Sequence, residues 1–186
     1  MRKVSLIAAA ILGGIVVSLL GAGLLLPAEH VAVTRARFDA PPEELFPVIA
    51  DLGSWASWNS AVKEVRPEPA RDGRPVFVVA GQWDEIPMVV EVEEPPLRLV
   101  TRIPEDAGLG FSGSWTYELA ADGEGTVLTI TERGRVSNPL FRLLVRLGDP
   151  HATAGAFLRD LGTRFGHPVE PIPISRGRAR NREPVA

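Results

Sequence analysis

The fold is decided by the stretch FSGSWTYEL, residues 111–119, in which apolar residues and glycine alternate with serine, threonine and glutamate. A period of two is that of a β-strand, because successive side chains of a strand point to opposite faces. One face of this strand is apolar and the other is polar. We therefore predict a strand that belongs to an antiparallel sheet with one buried face and one solvated face.

The same alternation recurs on both sides of this strand. It is found in residues 76–81, 88–93, 97–103 and 127–131. Turn-forming residues separate the runs, namely Asp72-Gly73, Glu94-Pro95-Pro96, the segment 104–110 and the segment 122–125. Short alternating runs joined by such turns are typical of an antiparallel meander.

A strand and two short helices are predicted before the meander. Residues 30–38 alternate in the manner of a strand. Asp39 is a suitable N-cap for a following helix, which Pro47 should bend because proline removes one helical hydrogen bond. Residues 54–58 suggest a second, short helical turn.

A long helix is predicted after the meander. It begins with Asn138 as N-cap, carries apolar residues at helical spacing and ends near Gly166. The segment 148–150, Gly-Asp-Pro, should kink the helix or split it. The first half has a stripe of leucines: Leu140, Leu143, Leu144 and Leu147. We expect this amphipathic helix to cover the apolar face of the sheet.

The chain begins with an apolar run, Val4 to Leu26, that contains no charged residue. As a helix it would be roughly 34 Å long, enough to cross the roughly 30 Å of bilayer hydrocarbon. Its length favours an uncleaved transmembrane anchor, and a cleaved secretory signal is the alternative. Arg2 and Lys3 favour a cytoplasmic N-terminus, with the domain outside the cytoplasm.

Three regions follow from these patterns. Residues 1–27 form the anchor or signal, residues 28–166 form one domain, and residues 167–186 form a tail rich in proline and arginine. The tail has little apolar content and is predicted to be disordered. It is either a solvated terminus or a polybasic segment that contacts anionic lipid.

The composition excludes several classes of function. The chain has no cysteine, so disulfides and thiolate metal sites are excluded, and its net charge of −3 gives no sign of nucleic-acid binding. No cluster of residues has metal-ligand spacing, and no glycine-rich loop fits a phosphate. We therefore expect neither metal nor cofactor.

The sequence resembles the START-like, or SRPBCC, superfamily, in particular its polyketide cyclase/dehydrase branch. The residues that carry the resemblance are 38–46, 51–59, 113–117, 125–132 and 157–161. The resemblance implies an α+β helix-grip fold, here preceded by one transmembrane helix. In that fold a curved antiparallel sheet wraps around a long C-terminal helix and encloses an apolar cavity. Such domains bind a lipid or another hydrophobic small molecule, and a few are enzymes.

Candidate ligand-binding residues follow from placing these segments around such a cavity. They are Trp55, Trp58, Asn59, Phe77, Trp83, Trp115, Tyr117, Glu132, Phe157 and Leu161. The two tryptophans at 55 and 58 share one helix face, where they either line the cavity mouth or close one end of the core. Trp115 and Tyr117 alternate with polar residues and should face the helix.

Glu132 is the most informative acidic residue. If Leu128 and Ile130 face inward, strict alternation sends Glu132 inward too, where a carboxylate needs a partner or a raised pKa. The alternative is an exposed strand end, with Glu132 paired to Arg133 or Arg135. As a general acid or base it would act with Tyr117 or His151.

Three functions remain open from the sequence. The favoured one is a membrane-anchored domain that binds a lipid or other hydrophobic molecule without catalysis. The second is an enzyme of the cyclase or dehydratase kind that uses Glu132 with Tyr117 or His151. The third is a protein-interaction module that docks through the arginine-rich tail or a sheet edge.

Overall fold

The computed structural model describes the backbone of residues 2–82 and 84–174 and the side chains of residues 12–82 and 84–174. Trp83 and the arginine-rich part of the tail, both singled out in the sequence, lie outside the described residues.

One antiparallel sheet dominates the described part of the chain. Its eight strands are β1 (Glu29–Phe38), β2 (Glu64–Arg71), β3 (Arg74–Ala80), β4 (Glu85–Glu94), β5 (Arg98–Ile103), β6 (Phe111–Asp122), β7 (Gly125–Val136) and β8 (Ile172–Pro173). The order across the sheet is β2-β3-β4-β5-β6-β7-β1-β8. The predicted meander is therefore confirmed, and the first strand joins it by pairing with β7.

Strand β2 was not predicted, because its sequence carries Pro67 and Pro69 and many charged residues. Proline cannot donate to a strand ladder and is tolerated at a sheet edge. Strand β2 lies at the edge of the sheet, beyond β3. Its hairpin to β3 turns at Asp72 and Gly73, whose φ angles of 52° and 76° explain why this aspartate–glycine pair was a reliable turn signal.

Helix α2 (Pro42–Ala50) follows β1, and a 3₁₀ helix (Leu52–Ser57) follows α2. The predicted N-cap is wrong: Pro41 precedes the helix, and Asp39 pairs with Arg37 instead. Pro47 lies inside the helix, as predicted. The 3₁₀ helix places Trp55 at the core, so the predicted helical turn in this region is confirmed.

The predicted C-terminal helix is split at Gly148-Asp149-Pro150 into α3 (Pro139–Leu147) and α4 (Ala152–Arg164). Asn138 caps α3 by accepting hydrogen bonds from the amides of Leu140 and Phe141. The expected packing of the leucine stripe on the sheet is wrong, because α3 has no buried residue. Only α4 lies on the apolar face, where Phe157, Leu158 and Leu161 enter the core.

The core fills the space between the inner face of the sheet, α2, the 3₁₀ helix and α4. Strands β1, β6 and β7 contribute alternate residues to it, as the period of two predicts. The fully buried members include Leu45, Ile49, Leu52, Leu99, Leu128, Ile130, Leu158 and Leu161.

The predicted disordered tail begins too early. Residues 172 and 173 form β8, which pairs with Thr34 and Arg35 of β1. Val169 packs against the core. A short segment therefore continues the domain beyond Gly166, through the contact of Val169 with the core and the pairing of β8 with β1, which the proline-rich composition masked.

The N-terminal segment forms α1 (Arg2–Leu25). Within the part of the chain that the structure describes, no helix combines the length and the apolar character needed to span a bilayer. Near its end α1 contacts α3: a Cβ atom added at Gly23 would collide with the carbonyl of Pro139.

Candidate functional site

A cavity of about 270 Å³ lies between the inner face of the sheet and α4. Its volume is close to the lower end of the range for small-molecule sites. Most of its lining is apolar. The lining residues are Trp55, Asn59, Ala61, Val62, Val79, Gly81, Asp84, Ile86, Met88, Trp115, Tyr117, Ile130, Thr153, Ala154, Ala156 and Phe157.

A cluster of aromatic rings forms one end of this cavity. The ring of Phe157 lies 5.3 Å from that of Trp55, 5.0 Å from that of Trp58 and 5.2 Å from that of Tyr117, measured between centroids. Such separations are typical of edge-to-face and tilted aromatic pairs. Helix α4, the 3₁₀ helix and β6 thus meet through these rings, which give the cavity a rigid end.

The two tryptophans of the 3₁₀ helix region differ in their surroundings. Trp55 is buried, lines the cavity and donates from Nε1 to the carbonyl of Ile49 at 3.0 Å. Trp58 packs behind it, and its buried Nε1 has no hydrogen-bond partner among the described residues. Trp55 thus belongs to the core cluster and also lines the cavity.

Tyr117 is buried and contributes the aromatic wall from β6. Burial raises the pKa of its hydroxyl above the ordinary value, and the carboxylate of Glu132 adds to this effect. The hydroxyl therefore stays protonated at neutral pH, as a phenol that can donate or accept a hydrogen bond.

A second cavity, of about 400 Å³, adjoins the first. The two share Asp84, Ile86, Trp115 and Thr153 in their linings. The second is more polar, with His30 and Glu132 in its wall, and Phe141 and Val145 of α3 border it. Together the cavities provide an apolar compartment beside a polar one.

Glu132 is held inside by contacts from two neighbouring strands. It lies opposite Trp115 of β6 and Ala32 of β1. Trp115 Nε1 donates to its Oε2 at 2.9 Å, and His30 Nε2 lies 3.3 Å from its Oε1. Its side chain is 13% exposed. The inward direction predicted from the alternation is confirmed.

The alternative pairing of Glu132 with Arg133 or Arg135 is wrong. Arg135 instead lies 3.7 Å from Glu29 on the adjacent strand β1. The difference arises because alternation sends the odd-numbered arginines to the outer face, whereas Glu132 shares the inner face with Ile130.

His151 contacts Thr34 of β1. Its Nδ1 is 3.0 Å from the hydroxyl of Thr34, just before α4 begins. It is half-buried. The linings of the two cavities, as far as the structure describes them, do not include it. Of the two proposed partners of Glu132, only Tyr117 lines one of these two cavities.

The other predicted ligand residues divide between cavity and core. Asn59 lines the first cavity, and its side-chain oxygen accepts from the amide of Ala61 at 3.1 Å. Phe77 packs against the core cluster, and Leu161 is fully buried in it. Neither is among the lining residues of the apolar cavity.

Sequence reasoning missed several residues of the two cavities, chiefly His30, Ile86, Met88 and Thr153. His30 was not among the candidate residues from the sequence. The alternation of β1 contained a usable signal, because His30 has the same parity as the buried Ala32 and Thr34. Only the pairing of β1 with β7 shows that this parity brings His30 to Glu132.

The described residues contain no group of three or more histidines and carboxylates arranged to hold a metal ion. The polar groups that line the two cavities include the carboxylate of Glu132, which contacts His30 and the indole of Trp115. The protonated hydroxyl of Tyr117 adds a further polar group. This set can receive a polar group at one end of an apolar molecule. It can also move a proton between Glu132 and a bound carbonyl or hydroxyl.

Comparison with protein families gives one match, over residues 29–164, to the family described as polyketide cyclase/dehydrase and lipid transport. The match covers most of the chain, and the chain belongs to this family. Comparison with curated protein sequences finds none that matches significantly.

Solved structures with the same fold include several from bacteria. A protein from Thermus thermophilus is 21% identical, with a TM-score of 0.56 over 73% of this chain and 96% of its own. A START superfamily protein from Mycobacterium smegmatis is 16% identical, with a TM-score of 0.53 over 73% of this chain and 94% of its own. The Zhui aromatase/cyclase from a Streptomyces species is 14% identical, with a TM-score of 0.57 over 73% of this chain and 93% of its own. At these identities the likeness establishes the helix-grip fold alone.

Proposed function

We propose that this member of the polyketide cyclase/dehydrase and lipid transport family is a membrane-tethered binding protein. It holds a lipid or another hydrophobic small molecule in its inner cavity, without catalysis. The observation that carries the proposal is the apolar cavity of about 270 Å³ between the sheet and α4. Its family match, which includes lipid transport, supports the same conclusion.

The energetics favour an apolar ligand. Each 100 Å² of apolar ligand surface removed from water contributes about 2.5 kcal/mol. The aromatic rings of Trp55, Tyr117 and Phe157 already pack against one another, so little side-chain conformational entropy is lost on binding. Useful affinity therefore requires few polar contacts.

The adjoining polar cavity favours an amphiphile over a pure hydrocarbon. Glu132 retains acceptor capacity beyond its bonds to Trp115 and His30, and Tyr117 lines the apolar compartment. An amphiphile with its apolar part beside Phe157 would direct a hydroxyl or amide toward Glu132. This arrangement satisfies both ends of the molecule.

The tether is proposed from the sequence. Residues 4–26 carry no charge, and β1 begins only three residues after Leu26. So short a connection would hold the cavity close to the bilayer, where apolar ligands partition. We propose a single span with a cytoplasmic N-terminus and the domain outside the cytoplasm, from the charges of Arg2 and Lys3. Protease digestion of sealed cells and of inverted vesicles tests this orientation.

Ligand capture is tested on the full chain purified in detergent. Native mass spectrometry and solvent extraction should find a co-purified apolar molecule, and a fluorescent fatty-acid probe should bind. The variant Ala156→Phe projects a ring from the cavity wall and should lower probe affinity at least tenfold. Ala152→Phe is the matched control, because Ala152 is exposed on the same helix.

The outcomes separate clearly. Absence of both a co-purified molecule and probe binding would contradict the proposed function. Equal loss of affinity in the two alanine variants would show that the ring disturbs α4 rather than fills the cavity. Circular dichroism of both variants establishes that the fold is retained.

The second candidate is an enzyme of the cyclase or dehydratase kind. The observation that favours it is the largely buried carboxylate of Glu132, which is bonded to Trp115 and His30 near Tyr117. A poly-β-keto thioester mimic would then lose water in the presence of the protein, as followed by mass spectrometry. Glu132→Gln keeps the shape of the side chain and should abolish that conversion while probe binding persists. No loss of water with the unmodified chain would exclude this candidate for that substrate class.

A further inference from the structure

Helix α3 presents an apolar face that nothing in the described chain covers. Leu144 and Leu147 are 64% and 86% exposed, and Leu140 is 41% exposed. These positions lie four and three residues apart, so they form one stripe along the helix. Such a stripe exposed to water is unfavourable, which indicates that another surface covers it.

The remaining positions of α3 identify the kind of surface. The helix has no acidic residue, and its polar side chains are Arg142 and Arg146. Arg142 donates to the carbonyls of Val136, Leu26 and Ser137 rather than to a carboxylate. Neither arginine forms an ion pair with the described residues. Leucines next to unneutralised arginines are typical of helices that lie in the interface of an anionic bilayer.

The position of α3 along α1 agrees with a location at the bilayer interface. The start of α3 meets α1 at Gly23, and Arg142 reaches the carbonyl of Leu26. Gly23 is only three residues before Leu26, where the apolar run ends. At about 1.5 Å per residue, α3 thus crosses α1 about 5 Å from that end. Interfacial helices bury their apolar face to a depth of about 5–10 Å.

We propose that α3 lies in the bilayer interface, with Leu140, Leu144 and Leu147 among the acyl chains and the two arginines at anionic headgroups. Phe141 and Val145 on its adjacent face border the polar cavity. The helix then separates that cavity from the lipid, and the bilayer is the surface on which the domain rests. This inference depends on the membrane tether in the proposed function.

The test uses spin labels, since a chain without cysteine accepts a single label at a chosen site. Full-length Leu144→Cys and Leu147→Cys are labelled and reconstituted in vesicles of phosphatidylcholine and phosphatidylglycerol. Power saturation should give greater collision rates with oxygen than with a water-soluble nickel chelate. Glu124→Cys, in the exposed turn between β6 and β7, is the control and should show the reverse.

Two results would overturn the proposal. Labels at 144 and 147 that behave like the label at 124 would place α3 in water. Labels shielded from both reagents would place a second copy or another protein on the stripe.

Flotation of the unmodified chain with the vesicles and binding of the fatty-acid probe are measured in the same samples. Flotation and probe binding with water-exposed labels would reject only the interfacial helix. Lipid-exposed labels without probe binding would reject only the cavity function, and absence of flotation would remove both the tether and this inference.

Discussion

Tyr117 is the one tyrosine of the chain, so its ionisation can be followed directly. Burial raises its pKa above the ordinary value of 10.0. The unfolded chain therefore loses this proton at a lower pH than the folded chain. The free energy of unfolding should then fall as pH rises above about 10, by at most about 1.4 kcal/mol per pH unit.

Absorbance near 295 nm measures the tyrosinate, and circular dichroism measures the fold. We expect both to change together at alkaline pH, because Tyr117 ionises when the chain opens. Tyr117→Phe should lack this part of the alkaline destabilisation. A tyrosinate signal with a midpoint near 10 in the native protein would show that Tyr117 is accessible to water.

At the scale of single residues, a second feature is the contact between Trp115 and Glu132. Their hydrogen bond is 2.9 Å long and joins neighbouring strands. Trp115→Phe removes the donor and leaves a largely buried carboxylate with one partner fewer, so it should lower the free energy of unfolding by about 1–3 kcal/mol. Urea unfolding measures this loss. In a protein that already carries Glu132→Gln, Trp115→Phe should lower the free energy of unfolding by less. An equal decrease with and without Glu132→Gln would show that the hydrogen bond does not stabilise the fold.

At the scale of single elements, α4 depends on close contact with the segment that follows it. A Cβ atom added at Gly162 would lie 2.7 Å from the carbonyl oxygen of His167 and 2.9 Å from a methyl group of Val169. Gly162→Ala should therefore displace the segment that leads to β8 and cost about 1–3 kcal/mol.

Gly155 on the same helix provides the matched control. The nearest atom to a Cβ there belongs to the flexible Arg159 side chain, at 3.5 Å. Gly155→Ala should instead raise the free energy of unfolding by up to about 1 kcal/mol, because alanine favours the helix. If both changes stabilise the protein, the contact of Gly162 with residues 167–169 is not tight.

Helix α3 depends more on local hydrogen bonds, since it buries no side chain. The Asn138 side chain accepts from the amides of Leu140 and Phe141, at 2.9 and 3.3 Å. Asn138→Ala should therefore speed hydrogen exchange in the first turn of α3, while the global unfolding transition moves by about 1 kcal/mol or less. Asn138→Asp retains an acceptor and should keep the protection. A large global loss in Asn138→Ala would mean that α3 is part of the cooperative core.

At the scale of the whole molecule, local sequence patterns predicted the structure correctly where burial of one face of the sheet dominated. The period of two predicted strands β3 to β7 and the inward face of Glu132, because a sheet with one buried face leaves little freedom of register. Local patterns failed where a strand is stabilised by pairing with another segment of the chain. Strand β2 is stabilised by its neighbour β3 despite Pro67 and Pro69, and β8 is formed by pairing with β1.

The site divides in the same way. The cavity lining includes four aromatic residues that the sequence had placed at inward positions, because large aromatic residues there face the space under the helix; they are Trp55, Trp115, Tyr117 and Phe157. His30 was missed because its role requires the pairing of β1 with β7, which joins residues that are far apart in the chain. The leucine stripe of α3 has a helical period whatever it faces, so the period alone does not distinguish the core from another surface.

Binding and folding of the whole domain should be linked, since the cavity exists only when the sheet and α4 are assembled. A ligand that binds only the folded state stabilises it by about 2.7 kcal/mol at a concentration of about 100 Kd. For a chain of this size that corresponds to a rise in Tm of roughly 5–11 °C. We expect the Tm of the full chain to rise with the logarithm of the concentration of the fatty-acid probe. Ala152→Phe should give the same rise and Ala156→Phe a much smaller one, because only residue 156 lines the cavity. A Tm of the unmodified chain that does not depend on probe concentration would contradict this linkage. A site formed only by the assembled sheet and helix should bind the folded chain and not the unfolded one.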